Sequence, residues 1–246
     1  MTIFWVIILG IIQGLTEFLP VSSSGHLVLA QHFIPGFSQP GVLFDVVLHF
    51  GTLFSVLIFF RKKIFHIDFS YLTLLIIGSI PAALFGLLFR TTLENSFTQV
   101  GAILGIQFFI TSVLCFWIDK LAGTKKTISA GDSFIIGIGQ ALAIVPAISR
   151  SGATIFAALK RGIARQEALQ FSFLLSVPAI LGANALELYH ARNELSTNSS
   201  SLILGFIASA VFGYMSISWT MQLLKNSKFK IFGFYAALLG ILTFFL

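Results

Sequence analysis

The chain of 246 residues is 57% hydrophobic and only 10% charged, whereas soluble globular proteins carry about 25% charged residues. Together with a mean hydropathy of +0.96, this composition excludes a soluble protein and predicts an integral membrane protein. The formal net charge of +6 does not indicate nucleic acid binding, because the basic residues lie in short loops between apolar segments and would face an anionic membrane surface.

Six apolar segments have the length and composition expected of helices that cross a hydrocarbon core about 30 Å thick. The sequence predicts these spans at 42–60, 71–89, 99–118, 168–188, 202–223 and 230–246. The N-terminus lacks a basic region and an A-x-A-like site, so we do not expect a cleaved signal peptide. A single cysteine, Cys115, excludes an intrachain disulfide and is expected to be a small packing residue. We therefore expect one membrane domain over residues 1–246.

Two further apolar segments, 3–35 and 133–160, are interrupted near their middles by proline, serine and glycine. The first interruption lies between Pro20 and Gly25, and the second lies between Pro146 and Gly152. A helix over 3–18 would reach only about 24 Å at 1.5 Å per residue, which is too short to cross the membrane. Each segment is therefore predicted to be a re-entrant helical hairpin, with the serines capping the broken helix ends.

The two interrupted segments resemble each other at an offset of 127 residues. Identical residues occur at seven pairs of positions: Gly10/Gly137, Ile11/Ile138, Gln13/Gln140, Leu15/Leu142, Ser22/Ser149, Ser24/Ser151 and Gly25/Gly152. The prolines are out of step by one position, but the shared S-x-S-G falls at the interruption in both copies. This similarity predicts an internal repeat, with a first copy over about 3–118 and a second over about 130–246.

Charge predicts how the two copies are oriented. If the loop at 61–66 is cytoplasmic, the cytoplasmic side holds every lysine and every arginine except Arg90 and Arg192 on the outer side and Arg150 inside the second interruption. Three spans then separate the copies, so they would lie upside down relative to each other. The predicted fold is an all-α polytopic membrane protein with six transmembrane helices plus two re-entrant helical hairpins in an inverted-topology repeat, whose interruptions meet near the middle of the membrane.

The first interruption carries three residue types that suit catalysis. Glu17 lies at membrane depth, where an ionised carboxylate has to face a cavity or a cation, and Gln13 shares its helix face four residues earlier. Ser23 and His26 follow, so that a nucleophile, a base and an orienting acid are close in sequence. A protonated or interfacial Glu17 and a hydrogen-bonded structural His26 are the alternatives.

The second interruption, "PAISRSGAT", places Arg150 between Ser149 and Ser151, with Thr154 one turn further on. A guanidinium among hydroxyl groups at a helix N-terminus is suited to bind a phosphate. The alternative is that Arg150 only neutralises Glu17. Combined, the two interruptions predict phosphoryl transfer on an amphiphilic substrate.

Two long motifs resemble those of the integral-membrane undecaprenyl-pyrophosphate phosphatases associated with bacitracin resistance. The first is an (E/Q)-x-x-x-E pair followed by P-V-S-S-[ST]-G-H, which occurs here as "QGLTEFLPVSSSGH". The second, P-G-x-S-R-S-x-x-T, occurs as "PAISRSGAT", and "FSFLLSVPA" at 171–179 resembles the span that follows it. The resemblance covers nearly the whole chain.

This resemblance implies hydrolysis of undecaprenyl pyrophosphate, which recycles the lipid carrier of cell-wall synthesis. It further implies a divalent cation, Mg²⁺ or Ca²⁺, a site open to the outer face of the bacterial inner membrane, and a homodimer. The expected catalytic residues are Glu17, Ser23, His26 and Arg150, and Glu17 and Gln13 are the candidate metal ligands. The expected substrate-binding residues are Gln13, Ser22, Ser24, Ser149, Ser151 and Thr154.

Two positions depart from the family pattern. Gln13 is the neutral option of its motif, which removes one carboxylate from the candidate metal site. Ala147 replaces the motif glycine, so we expect this position to avoid a backbone conformation that only glycine adopts, or the turn to shift slightly. The nucleophile is either Ser23, with His26 as its base, or His26 itself.

Two other functions and one further pair of candidate residues have to be considered. Type 2 phosphatidic acid phosphatases share similar fragments, but the histidine that they require falls here at Phe156. A lipid carrier or flippase would also use inverted repeats with broken helices, and it would move lipid without releasing phosphate. Asp45 and His49 share a helix face, for which packing or a dimer contact is expected before a second metal site.

Overall fold

The computed structural model describes residues 2–34, 42–89, 91–93, 100–190 and 199–246. Within these ranges the regular structure is helical, apart from one isolated bridge between Lys125 and Ile163. The helices are α1 (Ile3–Phe18), α2 (Ser23–His32), α3 (Val42–Phe59), α4 (Arg61–Ile64), α5 (Phe69–Leu88), α6 (Ala102–Ile118), α7 (Ala130–Leu142), α8 (Arg150–Lys160), α9 (Arg165–His190), α10 (Ser199–Lys225) and α11 (Lys230–Thr243).

The helices confirm an all-helical, multi-pass membrane protein. Three helices are long and apolar enough to cross a membrane, and they lie within α5, α9 and α10. Shorter apolar helices are found at α1, α6 and α11 and over most of α3. A helix therefore lies at each of the six predicted spans. The predicted outer-side charges Arg90 and Arg192 lie outside the described residues.

Helix α9 runs through the centre of the protein. Half of its most apolar stretch is buried inside the protein, compared with 17% of that of α5, which is largely exposed on the surface of the protein. Phe173 of α9 packs edge-on against Phe18 of α1, with ring centroids 5.4 Å apart, and also contacts Phe60. The largest cluster of buried apolar side chains forms around these rings, so α9 links the first helix of the chain to the rest of the core.

Each interrupted segment packs against a long helix from the other half of the chain. Helix α1 packs against α10, and α7 packs against α5. These contacts are close because glycines face each other: a Cβ at Gly10 would lie 2.8 Å from the carbonyl oxygen of Gly205, and one at Gly137 would lie 2.3 Å from that of Gly78. Small residues allow such backbone contact between membrane helices. Helices α6 and α11 also pack together.

The two interruptions are capped in the same way. Helix α1 ends at Phe18, because Leu19 precedes Pro20 and adopts an extended conformation. Ser22 then accepts a hydrogen bond from the Gly25 amide (3.4 Å) to cap α2. In the second interruption Ser149 accepts a hydrogen bond from the Gly152 amide (3.1 Å) to cap α8. A serine therefore caps the second helix of both interrupted segments, as predicted.

The interruptions are in direct contact with each other. Ser151 Oγ donates a hydrogen bond to the Leu19 carbonyl (3.0 Å), and the Cys115 thiol donates to the Pro20 carbonyl (3.2 Å). A Cβ at Gly25 would lie 2.8 Å from the Cα of Ala147. Cys115 is fully buried, as expected of a packing residue, and its thiol also satisfies a carbonyl that the broken helix leaves unpaired.

Ala147 adopts a left-handed backbone conformation that is open to residues other than glycine, as expected for this position. Its φ is +58°, in the left-handed region that favours glycine. Thr111 holds this turn, because its hydroxyl donates to the Ala147 carbonyl (2.7 Å) and accepts from the Ser149 amide (2.9 Å). The turn therefore keeps its left-handed backbone although the glycine of the family motif is absent. Ser22 is likewise at a positive φ, of 69°.

Candidate active site

The carboxylate of Glu17 joins both interruptions. Its Oε2 atom accepts hydrogen bonds from Gln13 Nε2 (3.0 Å) and from Ser23 Oγ (2.6 Å). Its Oε1 atom accepts from Arg150 Nη2 at 2.5 Å, which forms a salt bridge between the end of α1 and the start of α8. Only 7% of the Glu17 side chain and 17% of the Arg150 side chain are exposed. The buried carboxylate therefore has a positively charged partner and two further donors.

Arg150 is held in place by Ser172 of α9, a residue that the sequence did not indicate. Its Nη1 atom donates to the Ser172 carbonyl (3.4 Å), and the Ser172 hydroxyl lies 2.6 Å from that of Thr154. The Thr154 hydroxyl also contacts the Arg150 carbonyl (2.9 Å). Thr154 was predicted to bind substrate. It is fully buried, and its hydroxyl contacts both Arg150 and Ser172.

His26 has partners other than those that a serine–histidine–acid arrangement requires. Its Nδ1 atom lies 2.6 Å from the Ser22 carbonyl oxygen, and its Nε2 atom lies 2.7 Å from the Tyr235 hydroxyl. Ser23 donates to Glu17 instead, so among the hydrogen bonds of the described residues Ser23 and His26 do not form a pair. In this structure the carboxylate contacts the serine directly, and the assignment of Glu17, Ser23 and His26 as catalytic residues stays a prediction.

The remaining predicted serines lie at the interruptions with their hydroxyl groups engaged. Ser22 and Ser24 are 3.2 Å apart, as are Ser149 and Ser151. Ser22, Ser149 and Ser151 are buried, whereas Ser24 is partly exposed. Among them, Ser22 and Ser149 accept from the Gly25 and Gly152 amides and so cap the N-termini of α2 and α8.

His49 lies closer to the site than expected. Its Nδ1 atom hydrogen-bonds to the Asp45 carbonyl (2.8 Å), and its ring lies near the Glu17 carboxylate. We expected packing or a dimer contact for this residue. No motif in the sequence connects α3 to the interruptions, so the signal for His49 was only that it is a histidine on an apolar helix.

The donor atoms near Glu17 fit a divalent cation only in part. Both oxygens of Glu17 already accept hydrogen bonds, and the described residues contain no group of three or more His, Cys, Asp or Glu side chains that could hold a metal. Gln13 Oε1 is buried and has no hydrogen-bond partner in the described part of the chain. Mg²⁺ and Ca²⁺ take six or more oxygen ligands, so these residues fit an ion that a phosphate substrate would largely coordinate.

Comparison with known proteins identifies the family of this chain. Residues 6–242 match the family model described as bacitracin resistance protein BacA. The chain belongs to the BacA family. Its BacA relatives include undecaprenyl-diphosphatase 4 of Bacillus cereus, which is 46% identical over 96% of this chain and 93% of the relative. The undecaprenyl-diphosphatase of Carboxydothermus hydrogenoformans is 42% identical over 98% of this chain and 96% of its own length. That of Halothermothrix orenii is 41% identical over 100% of this chain and 98% of its own length.

Proposed function

We propose that this BacA-family chain hydrolyses undecaprenyl diphosphate to undecaprenyl phosphate and inorganic phosphate, which recycles the lipid carrier of cell-wall synthesis and confers bacitracin resistance. The observation that carries the proposal is the buried contact between Glu17 and Arg150, which brings a carboxylate, a guanidinium and the Ser23 hydroxyl together. The names of the relatives support it, because relatives at 41–46% identity are called undecaprenyl-diphosphatases.

The two helix N-termini would bind the diphosphate. Helices α2 and α8 both begin where the interruptions touch, and helix N-termini attract anions through their free amides and their dipoles. Arg150 can exchange its contact with Glu17 for a phosphate oxygen, since its planar guanidinium suits both oxyanions. Phosphate binding would then leave Glu17 without its cationic partner, which favours transfer of a proton to Glu17.

Glu17 would accept that proton from Ser23, whose hydroxyl already donates to it at 2.6 Å. Ser23 Oγ attacks the terminal phosphorus as the bond between phosphorus and the oxygen of undecaprenyl phosphate breaks. Water then cleaves the phosphoserine, releasing phosphate and restoring the hydroxyl group. A trapped phosphoenzyme should therefore be stable in acid, whereas an acid-labile one would assign the attack to His26.

A divalent cation, Mg²⁺ or Ca²⁺, would be held by Gln13 and Glu17 together with the diphosphate. When bound, it would supply positive charge to the phosphate oxygens. Because Gln13 offers a neutral oxygen, Gln13→Glu should lower the cation concentration needed for half-maximal activity. Unchanged cation dependence in this variant would argue against ligation by Gln13, and activity that survives a chelator would remove the cation from the proposal.

We also propose the membrane arrangement expected from the sequence: six spans and two re-entrant hairpins, inverted relative to each other, in the bacterial inner membrane with the site open to the outer face. The reciprocal packing supports this, because α1 of the first half packs against α10 of the second half, and α7 of the second half packs against α5 of the first. A homodimer is part of the proposal, and cross-linking in membranes would test it.

The proposed reaction is tested by phosphate release from undecaprenyl diphosphate by the purified protein in detergent, with and without a chelator. Arg150→Ala and His26→Ala should both lose most of the activity. Undiminished release in both variants would contradict the site assignment. A folded wild type that moves polyprenyl phosphate between leaflets but releases no phosphate would replace the hydrolase by a lipid carrier.

A further inference from the structure

The hydrogen bond between His26 and Ser22 determines which ring nitrogen carries the proton. A carbonyl oxygen can only accept, so the His26 Nδ1 atom, 2.6 Å from the Ser22 carbonyl, has to be the donor. The neutral ring is then the Nδ1–H tautomer, and its Nε2 atom carries the lone pair. The Ser22 carbonyl lies one helical turn before His26 and also accepts from the His26 backbone amide (3.3 Å).

The lone pair on Nε2 is occupied by a residue outside both motifs. The Tyr235 hydroxyl lies 2.7 Å from His26 Nε2, so it donates to the neutral ring. The two rings are also stacked, with centroids 5.5 Å apart and an angle of 16° between their planes. On another side, Phe108 meets the imidazole edge-on at a centroid distance of 5.8 Å. Each nitrogen of His26 therefore has a hydrogen-bond partner, and its ring contacts both Tyr235 and Phe108.

The two aromatic neighbours differ in their access to the outside of the protein. Phe108 is fully buried, whereas 41% of Tyr235 is exposed. Tyr235 therefore lies on the open side of the imidazole, and Nε2, to which its hydroxyl donates, faces that side. A phenol hydroxyl can also accept, so the same contact persists if His26 takes up a proton and Nε2 becomes a donor.

We propose that Tyr235 is a positioning residue for His26. The Ser22 carbonyl selects the Nδ1–H tautomer, and the Tyr235 hydroxyl holds the imidazole in the orientation in which that hydrogen bond forms and Nε2 is directed toward the open side. The stacked Tyr235 ring adds to this restraint. The proposal deepens the proposed phosphatase function and rests on it for its kinetic test. Removal of the hydroxyl allows the imidazole to rotate away from the Ser22 carbonyl, and a rotated ring can exchange tautomers. Both changes lower the fraction of enzyme molecules in which Nε2 is correctly placed.

The kinetic test compares Tyr235→Phe with Tyr214→Phe. Tyr214 lies on α10, is 42% exposed and contacts the ring of Phe59, so it matches Tyr235 in type and exposure. For release of phosphate from undecaprenyl diphosphate, kcat of Tyr235→Phe should fall about five- to tenfold, the size of one neutral hydrogen bond, with KM nearly unchanged. Tyr235→Leu, which also removes the stacked ring, should lose more, and Tyr214→Phe should behave as wild type.

Two kinetic outcomes would overturn the proposal. An unchanged kcat in Tyr235→Phe would show that the hydroxyl does not matter to the reaction. A raised KM with an unchanged kcat would make Tyr235 a substrate contact and not a positioning residue.

A second measurement does not depend on activity. Nitrogen NMR of the ¹⁵N-histidine-labelled protein, with the His26 signals identified by their loss in His26→Gln, reports the tautomer directly. The wild type should show Nδ1–H, and Tyr235→Phe should show a mixture of tautomers. An Nε2–H tautomer in the wild type would overturn the proposal. If the wild type releases no phosphate, the proposed function fails while the NMR result still decides the role of Tyr235.

Discussion

Arg150 carries two functions in one side chain, as the cationic partner of a buried carboxylate and as the expected phosphate ligand. Arg150→Ala should lower kcat/KM for phosphate release by about 10²-fold or more, the loss seen when a donor to a developing oxyanion is removed. Arg150→Lys should recover only part of this, because an ammonium group lacks the planar fork. Arg61→Ala is a suitable control, since Arg61 is exposed and its guanidinium donates to the Ile58 carbonyl three residues earlier (3.1 Å).

The same substitution should also destabilise the protein. Loss of one partner from a buried pair typically costs about 3–5 kcal/mol, because the other charge remains buried. Arg150→Ala should therefore unfold at a lower temperature than wild type, and addition of Glu17→Gln should restore much of the difference. If the double variant were as unstable as the single one, the ion pair would not be the cause.

Ala147 tests how much strain the second interruption tolerates. Ala147→Gly should change the free energy of unfolding by less than about 1 kcal/mol, because relief of the positive φ is offset by the greater freedom of the unfolded chain. Ala147→Val should cost more than about 2 kcal/mol, since a branched residue is disfavoured at positive φ and the site is packed against Gly25. Thermal unfolding in detergent measures both, and a valine variant as stable as wild type would contradict the left-handed turn.

At the scale of single residues, helix spacing predicted the contacts within one turn but not those between helices. Gln13 and Glu17, four residues apart, form the pair that their spacing predicted. Ser23 and His26 are three residues apart and do not bond to each other. Ser23 bonds to Glu17 and His26 bonds to Tyr235, because the helices that pack against α2 determine the partners. Tyr235 lies 209 residues from His26 along the chain, on a helix whose sequence contains no motif, so spacing could not connect them.

At the scale of helices, a charged cluster fastens the loop before α7 to the turn after α8. Asp132 accepts a hydrogen bond from Arg161 Nε (2.7 Å), forms a capping box with Ser129, and lies 3.8 Å from Lys125 Nζ. Burial opposes ionisation of Asp132, but the hydrogen bonds from Arg161 and Ser129 and the charge of Lys125 hold its pKa below the ordinary value. The ionised carboxylate therefore stabilises the folded state.

This stabilisation should depend on pH in one direction. Because the pKa of Asp132 is lower in the folded than in the unfolded chain, its contribution is complete above about pH 4 and is lost as the pH falls through the folded-state value. Asp132→Asn should lower the free energy of unfolding at pH 7 by about 1.5–3 kcal/mol, as expected for hydrogen bonds to a charged group. The difference from wild type should narrow in acid, and a difference that stays constant with pH would contradict this account.

Helix positions were predictable because length and hydropathy determine them in a membrane. The span predicted at 71–89 is the helix Phe69–Leu88, and the segment 3–18 is the helix Ile3–Phe18. Helix α9 begins at Arg165, ahead of the predicted 168, because its first turn is polar and hydropathy cannot detect it. The left-handed turn at Ala147 was not predictable, since a hydrogen-bonding threonine on another helix holds it.

At the scale of the whole molecule, the most extensive helix packing joins the two halves of the chain or the two ends of it. Helix α1 needs α10, α7 needs α5, and α6 needs α11. If the chain is divided between residues 122 and 123, each half produced alone should be unstable in detergent, whereas the two halves produced together should purify as one complex with phosphatase activity. Halves that are each folded and do not associate would contradict the interleaved packing.

The salt bridge between Glu17 and Arg150 also has a consequence in time. The two residues are 133 positions apart, so a ribosome adding about 5–20 residues per second delivers Arg150 roughly 7–27 s after Glu17. During that interval the first hairpin has to exist beside the insertion machinery without its counter-ion. The salt bridge can therefore form only after the second hairpin has been inserted, and a nascent chain stalled before residue 150 should remain accessible at Glu17 to water-soluble carboxyl reagents.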